Sequence, residues 1–243
     1  MQDRYTGDIG DFGKLGLLRV LQEQNLSIGV NWYLTPDETH NEDGKYTEYL
    51  NEEKKEKYFP CDESLWQDLK KIVDSGNRNV SALQNEHILK AAFYDKPLNF
   101  RGKSKEERIS IRKVWHERAL EQLSGSDVVF VDPDNGLVVP SAEGKPKENK
   151  YVMPDELSDY YKKGSSVIYY QHKARRQDQF YSDQHEKLIR SPGFESSSGL
   201  ALKFKTTSLR YYFFIIQPRH REMITEAVNE MASSEWSDHF CIL

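Results

Sequence analysis

The amino-acid sequence predicts an α/β protein: a three-layer, Rossmann-like sandwich with a mostly parallel sheet, a C-terminal antiparallel hairpin and a helical insertion after the first strand. Three observations point there. Short runs rich in β-branched and aromatic residues, at 28–34, 128–131 and 165–170, alternate with longer amphipathic stretches, the order expected of strands joined by helical crossovers. The first two runs stop abruptly at Thr35-Pro36-Asp37-Glu38 and at Asp132-Pro133-Asp134-Asn135-Gly136, as buried parallel strands do where they open into loops. Further along, the runs 200–205 and 209–217 are separated only by Thr206-Thr207-Ser208, which reads as an antiparallel hairpin.

The elements follow in order. Gly7-Asp8-Ile9-Gly10-Asp11 leads into a helix over 12–24, with Asp11 as its N-cap and Leu15, Leu17, Leu18, Val20 and Leu21 on its apolar side. Gly7, Gly10 and Gly13 follow no predicted strand, so they read as a tightly turned entry to that helix and not as a dinucleotide fingerprint. After the first strand, residues 42–99 are polar, helix-favouring and interrupted by Pro60 and Pro97: a helical insertion within one Rossmann-like domain spanning 1–243. A long helix is predicted over 104–123, with Ile109, Ile111, Val114, Trp115, Ala119, Leu120 and Leu123 on its apolar side. Shorter helices are predicted at 154–163, about 177–189 and 220–231. In Tyr211-Tyr212-Phe213-Phe214 successive side chains face opposite ways, so both faces of that strand should meet helices.

A chain of 243 residues can bury a substantial core within one domain. Charged residues make up 30% and hydrophobic ones 37%, with mean hydropathy −0.79, and no stretch is apolar enough to span a membrane. The opening Met1-Gln2-Asp3-Arg4-Tyr5 lacks the pattern of a signal or transit peptide, so a cytoplasmic protein is expected. Cys61 and Cys241 lie far apart with no second thiol near either, which is neither a zinc motif nor a disulfide framework. The net charge of −5 removes the global positive field that many nucleic-acid binders use. Contact with nucleic acid would need a local patch, and the cluster from His172 to Arg176 is the one with clear excess charge at a strand end.

In open α/β sheets, ligands bind outside the carboxyl ends of the strands. Doubly wound order would make the ends of the runs at 28–34, 128–131 and 165–170 neighbours, bringing Asp37, Glu38, His40, Asp132, Asp134, Gln171 and His172 to one crevice. The competing reading of 132–136 is a plain turn, because Pro, Asp, Asn and Gly are ordinary turn formers.

The sequence resembles the J-type 23S ribosomal RNA adenine-N6 methyltransferases. The likeness lies in Arg4-Tyr5 before a glycine-containing helix entry, a first strand followed by a helical insertion, a strand ending in Asp132-Pro133, and a final strand pair. It covers most of the chain in element order and rests on few residue motifs. It implies an S-adenosylmethionine-dependent methyltransferase acting on nucleic acid or a nucleotide. On that basis Asp132 orients the acceptor amine, Pro133 shapes the loop, and Asp134, Asn135 and His172 complete the catalytic group. Tyr5, Gly10, Asp37 and Glu38 would line the cofactor side, and Lys150, Gln171, Arg175 and Arg176 would contact the substrate. The family carries Asp-Pro-Pro-Tyr, whose aromatic stacks on the extruded base; Asp134 and Asn135 stand in place of its last two residues. The first strand also runs into 35–40 without the glycine-rich turn usual in methyltransferases.

The same positions carry a second chemistry. Clustered oxygen ligands from Asp37, Asp132 and Asp134 suit Mg²⁺ or Mn²⁺, which activates water against phosphoesters, while Lys150, Arg175 and Arg176 neutralise phosphate charge. That would make the chain a metal-dependent phosphoesterase or nuclease. A non-catalytic binding module on the same scaffold is the third reading.

Overall fold

The structure, a computed structural model, describes residues 1–38, 44–85, 87–206 and 209–243. The chain runs α1 (Ile9–Glu23), β1 (Ile28–Asn31), α2 (Lys55–Tyr58), α3 (Glu63–Ser75), α4 (Val80–Leu83), β2 (Ala91–Tyr94), α5 (Lys105–Gln122) and β3 (Val128–Val131). It continues with β4 (Gly136–Leu137), β5 (Tyr151–Val152), α6 (Pro154–Lys162), β6 (Ser166–His172), α7 (Asp178–Ile189), β7 (Ser198–Phe204), β8 (Arg210–Ile216), α8 (Arg221–Ser233) and β9 (Phe240–Ile242).

The main sheet has the order β2-β1-β3-β6-β8-β7-β9. Strands β2, β1, β3, β6 and β7 point one way; β8, inserted between β6 and β7, and β9 at the edge run against them. The predicted neighbours β1, β3 and β6 do lie side by side, in register from Ile28 opposite Val128 to Phe130 opposite Ile168. Helices cover both faces. Val128, Phe130, Tyr212 and Phe214 pack under α1, α3 and α8, while Val129, Val131, Tyr211 and Phe213 pack under α5, α6 and α7. This is the period of two working on a sheet with two dry faces. Full burial of a side chain such as Phe130 or Phe214 contributes roughly 1.5–3 kcal/mol.

Several boundaries differ from the sequence expectation, each for a physical reason. Asp8, not Asp11, caps α1: its carboxylate accepts from the backbone of Gly10 (2.7 Å) and Asp11 (3.1 Å). Gly10 and Gly13 lie inside that helix, where the missing Cβ admits neighbouring side chains; a Cβ on Gly10 would stand 2.7 Å from the Arg210 guanidinium carbon. The segment 42–99 is not wholly helical, because β2 falls within it and extends the sheet beyond β1. Ala91-Ala92-Phe93-Tyr94 carries too little apolar contrast to announce a strand. On its outer side the Phe93 carbonyl accepts from the Gln122 side chain (3.1 Å).

Strand β1 ends at Asn31 and not at 34. Tyr33 takes a left-handed conformation (φ 43°), at a cost of roughly 1–2 kcal/mol for a non-glycine residue. On α5, Ile109 and Val114 face away from the core, 60% and 43% exposed. Trp115, Ala119 and Leu123 are buried as expected and Ile111 and Leu120 pack against the same cluster; the core-facing side also takes in Arg108, Arg112 and His116, since Arg112 forms a buried bidentate pair with Glu156 (both contacts 2.7 Å). That pair also receives the Tyr33 hydroxyl on Glu156 (3.0 Å). Among the described residues, no helix is long and apolar enough to cross a membrane.

Candidate functional site

A cavity of about 310 Å³ opens at the carboxyl ends of β3 and β6, against the first turns of α1 and the start of β8. Its position is dictated by topology. The chain leaves β1 for β2 on one side and returns to β3 on the other, so the strand ends part between β1 and β3, next to this cavity. Asp132, Pro133, Asp134 and Asn135 line one side, and Tyr5, Tyr46 and Tyr170 are among the other lining residues.

Helix α1 supplies the charged floor. Lys14 bonds the Asp132 carboxylate through Oδ2 and Asp11 at 2.9 Å, and all three are nearly buried: Asp11 1%, Lys14 4% and Asp132 4% exposed. Asp11 also accepts from the Gly7 backbone (2.9 Å), which fixes the carboxylate at the helix entry. Burial pushes the Asp132 carboxyl up, and Lys14 is the largest influence pulling it back. Burial also raises Asp11, again opposed by Lys14. For Lys14 burial opposes the charge, but the two carboxylates outweigh it and its pKa lies above the usual lysine value. One turn earlier, Asp8 pairs with Arg210 of β8 (3.5 Å), whose guanidinium lies over Gly10.

The first two residues of the chain enter the crevice between β1 and β3. The amino group of Met1 donates to the carbonyls of Asp132 (2.9 Å) and Tyr33 (3.2 Å) and pairs with the Asp134 carboxylate (2.6 Å). Gln2 donates to the other Asp134 oxygen (2.8 Å), and its own carbonyl oxygen accepts from Arg4 (2.8 Å) and from the Glu38 backbone (2.9 Å). Burial would raise Asp134, but the Met1 ammonium, Gln2 and Lys150 hold it below the usual carboxylate range. Three N–H groups after β1 are engaged as well. Trp32 N–H bonds the Tyr94 carbonyl (3.1 Å), Tyr33 N–H bonds the Asn31 side chain (3.1 Å), and Thr35 N–H bonds the Met1 carbonyl (2.9 Å).

Beyond Asp134 the chain folds into the two-stranded ribbon β4–β5, whose parallel pairing sets Asn135 beside Lys150 through a backbone bond of 3.0 Å. Gln171 locks this loop. It accepts from Leu137 N–H (2.9 Å) and donates to the carbonyls of Asn135 and His172 (both 2.9 Å). Lys150 reaches over the mouth to Glu38 (2.5 Å), with Asp134 at 3.9 Å.

Of the residues singled out from sequence, Asp132, Pro133, Asp134, Asn135, His172, Glu38, Gly10, Tyr5 and Lys150 line the cavity. Others lie elsewhere. Gln171 serves the loop backbone. Asp37 is exposed and accepts from Arg4 N–H (3.3 Å). Arg175 and Arg176 are exposed outside the wall, with Arg176 stacked over Phe180 (5.3 Å). His40 lies outside the described residues. The oxygen set of the metal reading is not assembled: Asp132 and Asp134 each hold an ammonium group, and among the described residues no three His, Cys, Asp or Glu side chains converge as a metal site. Sequence reasoning missed Asp8, Lys14, Tyr46, Tyr170 and Arg210. The spacing of Asp11 and Lys14, three residues apart, shows in the sequence that the two can pair but not where the pair lies.

At the opposite end of the sheet, Ser166, His220 and Asp127 form a chain of contacts (3.0 and 3.4 Å). It is not a nucleophilic triad. His220 Nε2 is shared between Arg219 (3.0 Å) and Asp127, while Nδ1 faces Ser166 Oγ. Ser166 is also buried and accepts from Gln217 N–H (2.9 Å).

No protein-family model and no curated protein matches this chain.

Proposed function

We propose that this chain is a methyltransferase-like binding module that recognises an amino-bearing nucleobase, as a nucleotide or within a nucleic acid, in the cavity at the end of β3. One observation carries the reading: a cavity of nucleoside size is lined by Asp132 together with Tyr5, Tyr46 and Tyr170. A planar base stacks on aromatic faces, and an exocyclic amine donates to a carboxylate. Asp132 Oδ2 is held by Lys14, and no hydrogen bond to Oδ1 is present among the described residues. That oxygen is the acceptor the amine needs.

S-adenosylmethionine, implied by the family resemblance, does not fit the crevice where Rossmann-like folds hold their cofactor. Met1 and Gln2 fill the space between the ends of β1 and β3, Trp32 and Tyr33 are fully buried, and the N–H groups of 32, 33 and 35 are already bonded. What the resemblance leaves is the acceptor side, and base recognition needs nothing more.

Calorimetric titration with adenosine, inosine and S-adenosylmethionine tests this. Adenosine should bind, and inosine, whose carbonyl replaces the amine, should bind at least about tenfold more weakly because it sets an acceptor against a carboxylate. Failure of adenosine to bind, or S-adenosylmethionine binding in its place, would overturn the reading.

A further inference from the structure

We propose that Lys14 is the specificity-determining residue of this cavity: its ammonium holds Asp132 as a carboxylate, so the site accepts from an amino group and turns away a carbonyl. The inference rests on the base-recognition reading and adds to it the device that sets the choice of base.

The geometry gives Lys14 that position. Its ammonium is buried on α1, bonded to Asp11 on the same helix and to Asp132 on the far side of the cavity floor. Two carboxylates share one ammonium out of contact with bulk water, so the charge on Asp132 depends on how much of that ammonium it receives. The other groups around Asp132 contribute less. The Met1 amino group bonds the Asp132 carbonyl and pairs with Asp134, and its charge also lowers Asp132, though less than Lys14 does. Arg210 on β8 pairs with Asp8, and Lys150 pairs with Glu38. Tyr170 on β6 and Tyr212 on β8 are phenols held well above their ordinary pKa by burial, and they bring no positive charge. His172 stands at the end of β6, where its backbone N–H bonds the Asn135 carbonyl (3.3 Å). Burial already presses Asp132 toward its neutral form, and Lys14 is the main opposing influence.

A neutral Asp132 would be a donor as well as an acceptor. Without the ammonium, the cavity would favour a base carbonyl over an amine. Without Asp11, Lys14 would serve Asp132 alone and the carboxylate would persist to lower pH. The two changes push the site in opposite directions, which a role in packing alone would not do.

The experiment titrates adenosine and inosine into the parent protein, Lys14→Met and Asp11→Asn between pH 5 and 8.5. The parent should prefer adenosine. Lys14→Met should weaken adenosine by at least about tenfold and reverse the preference toward inosine. In Asp11→Asn the acid limb of adenosine binding should move to lower pH. If Lys14→Met does not fold, the shift in Asp11→Asn decides alone. Adenosine preference that survives Lys14→Met, or an acid limb that stays in place in Asp11→Asn, would refute the role of Lys14 while leaving base recognition standing. A parent that binds neither nucleoside overturns both.

Discussion

Phe204 lies against the Cα of Gly13, so that a Cβ there would stand 2.6 Å from the ring. The ring belongs to β7 and the glycine to α1, and the absent side chain lets the helix settle onto the sheet. Gly10 one turn earlier admits Arg210 and Gly16 one turn later admits the Trp236 ring, so three glycines at spacing three make a flat stripe along α1.

Gly13→Ala should therefore destabilise the protein, although alanine is the better helix former by about 1 kcal/mol. Phe204 is fully buried and rigid, and overpacking of this kind costs about 1–3 kcal/mol beyond the propensity gain. Urea denaturation should show a lower midpoint with an unchanged slope. A raised midpoint would mean that the helix and sheet can separate freely.

A carboxylate at the open end of a strand would cost little to replace if it sat at the surface. Asp132 does not: it is buried and paired with Lys14. Replacement leaves the ammonium with Asp11 alone, and a loss of about 2–3 kcal/mol in chemical denaturation is expected. Stability equal to the parent would show that Asp11 suffices as the counter-ion.

Gln171→Ala should act differently. Its amide serves only the backbone of 135–137 and 172, so the strand register should hold while the loop after β3 loosens. Limited proteolysis should cut near 135–150 faster than in the parent, with the melting temperature lowered by only a few degrees, as about 1 kcal/mol would give. A loop as resistant as the parent's would assign its order to the ribbon β4–β5 alone.

His185 sets an acid limit on stability. Burial pushes its imidazole down to about 4, with Nδ1 against the Tyr169 hydroxyl (3.1 Å). The unfolded state protonates near the ordinary value of 6.5, so stability is full above that pH and falls as the pH drops from 6.5 toward 4. Over that window the loss amounts to roughly 3 kcal/mol. Melting curves of the parent and of His185→Gln should converge at low pH; parallel curves would place the acid sensitivity elsewhere.

The strands legible in the sequence were those buried on both faces. Val128–Val131 matches its predicted ends because four consecutive apolar residues stop at a carboxylate. Strand β2 was invisible, since an edge strand buried on one side needs no apolar run. The helix α5 was found with most of its inward face, but Ile109 and Val114 turn outward and the charged Arg112, paired with Glu156, turns inward, a burial that an apolar pattern cannot show. The loop 132–135 and Glu38 were legible as turn chemistry at a strand end. The α1 contribution was not, because Asp8, Asp11 and Lys14 acquire meaning only when the helix is laid across the ends of β3 and β8.

The capped carbonyl on β2 has a consequence for how this sheet meets other chains. Tyr94 faces β1, so Phe93 turns its carbonyl outward, and a strand arriving from another molecule would find Gln122 already there. Lengthening the sheet on that side means breaking this internal bond before forming a new one, which works against self-association by strand addition.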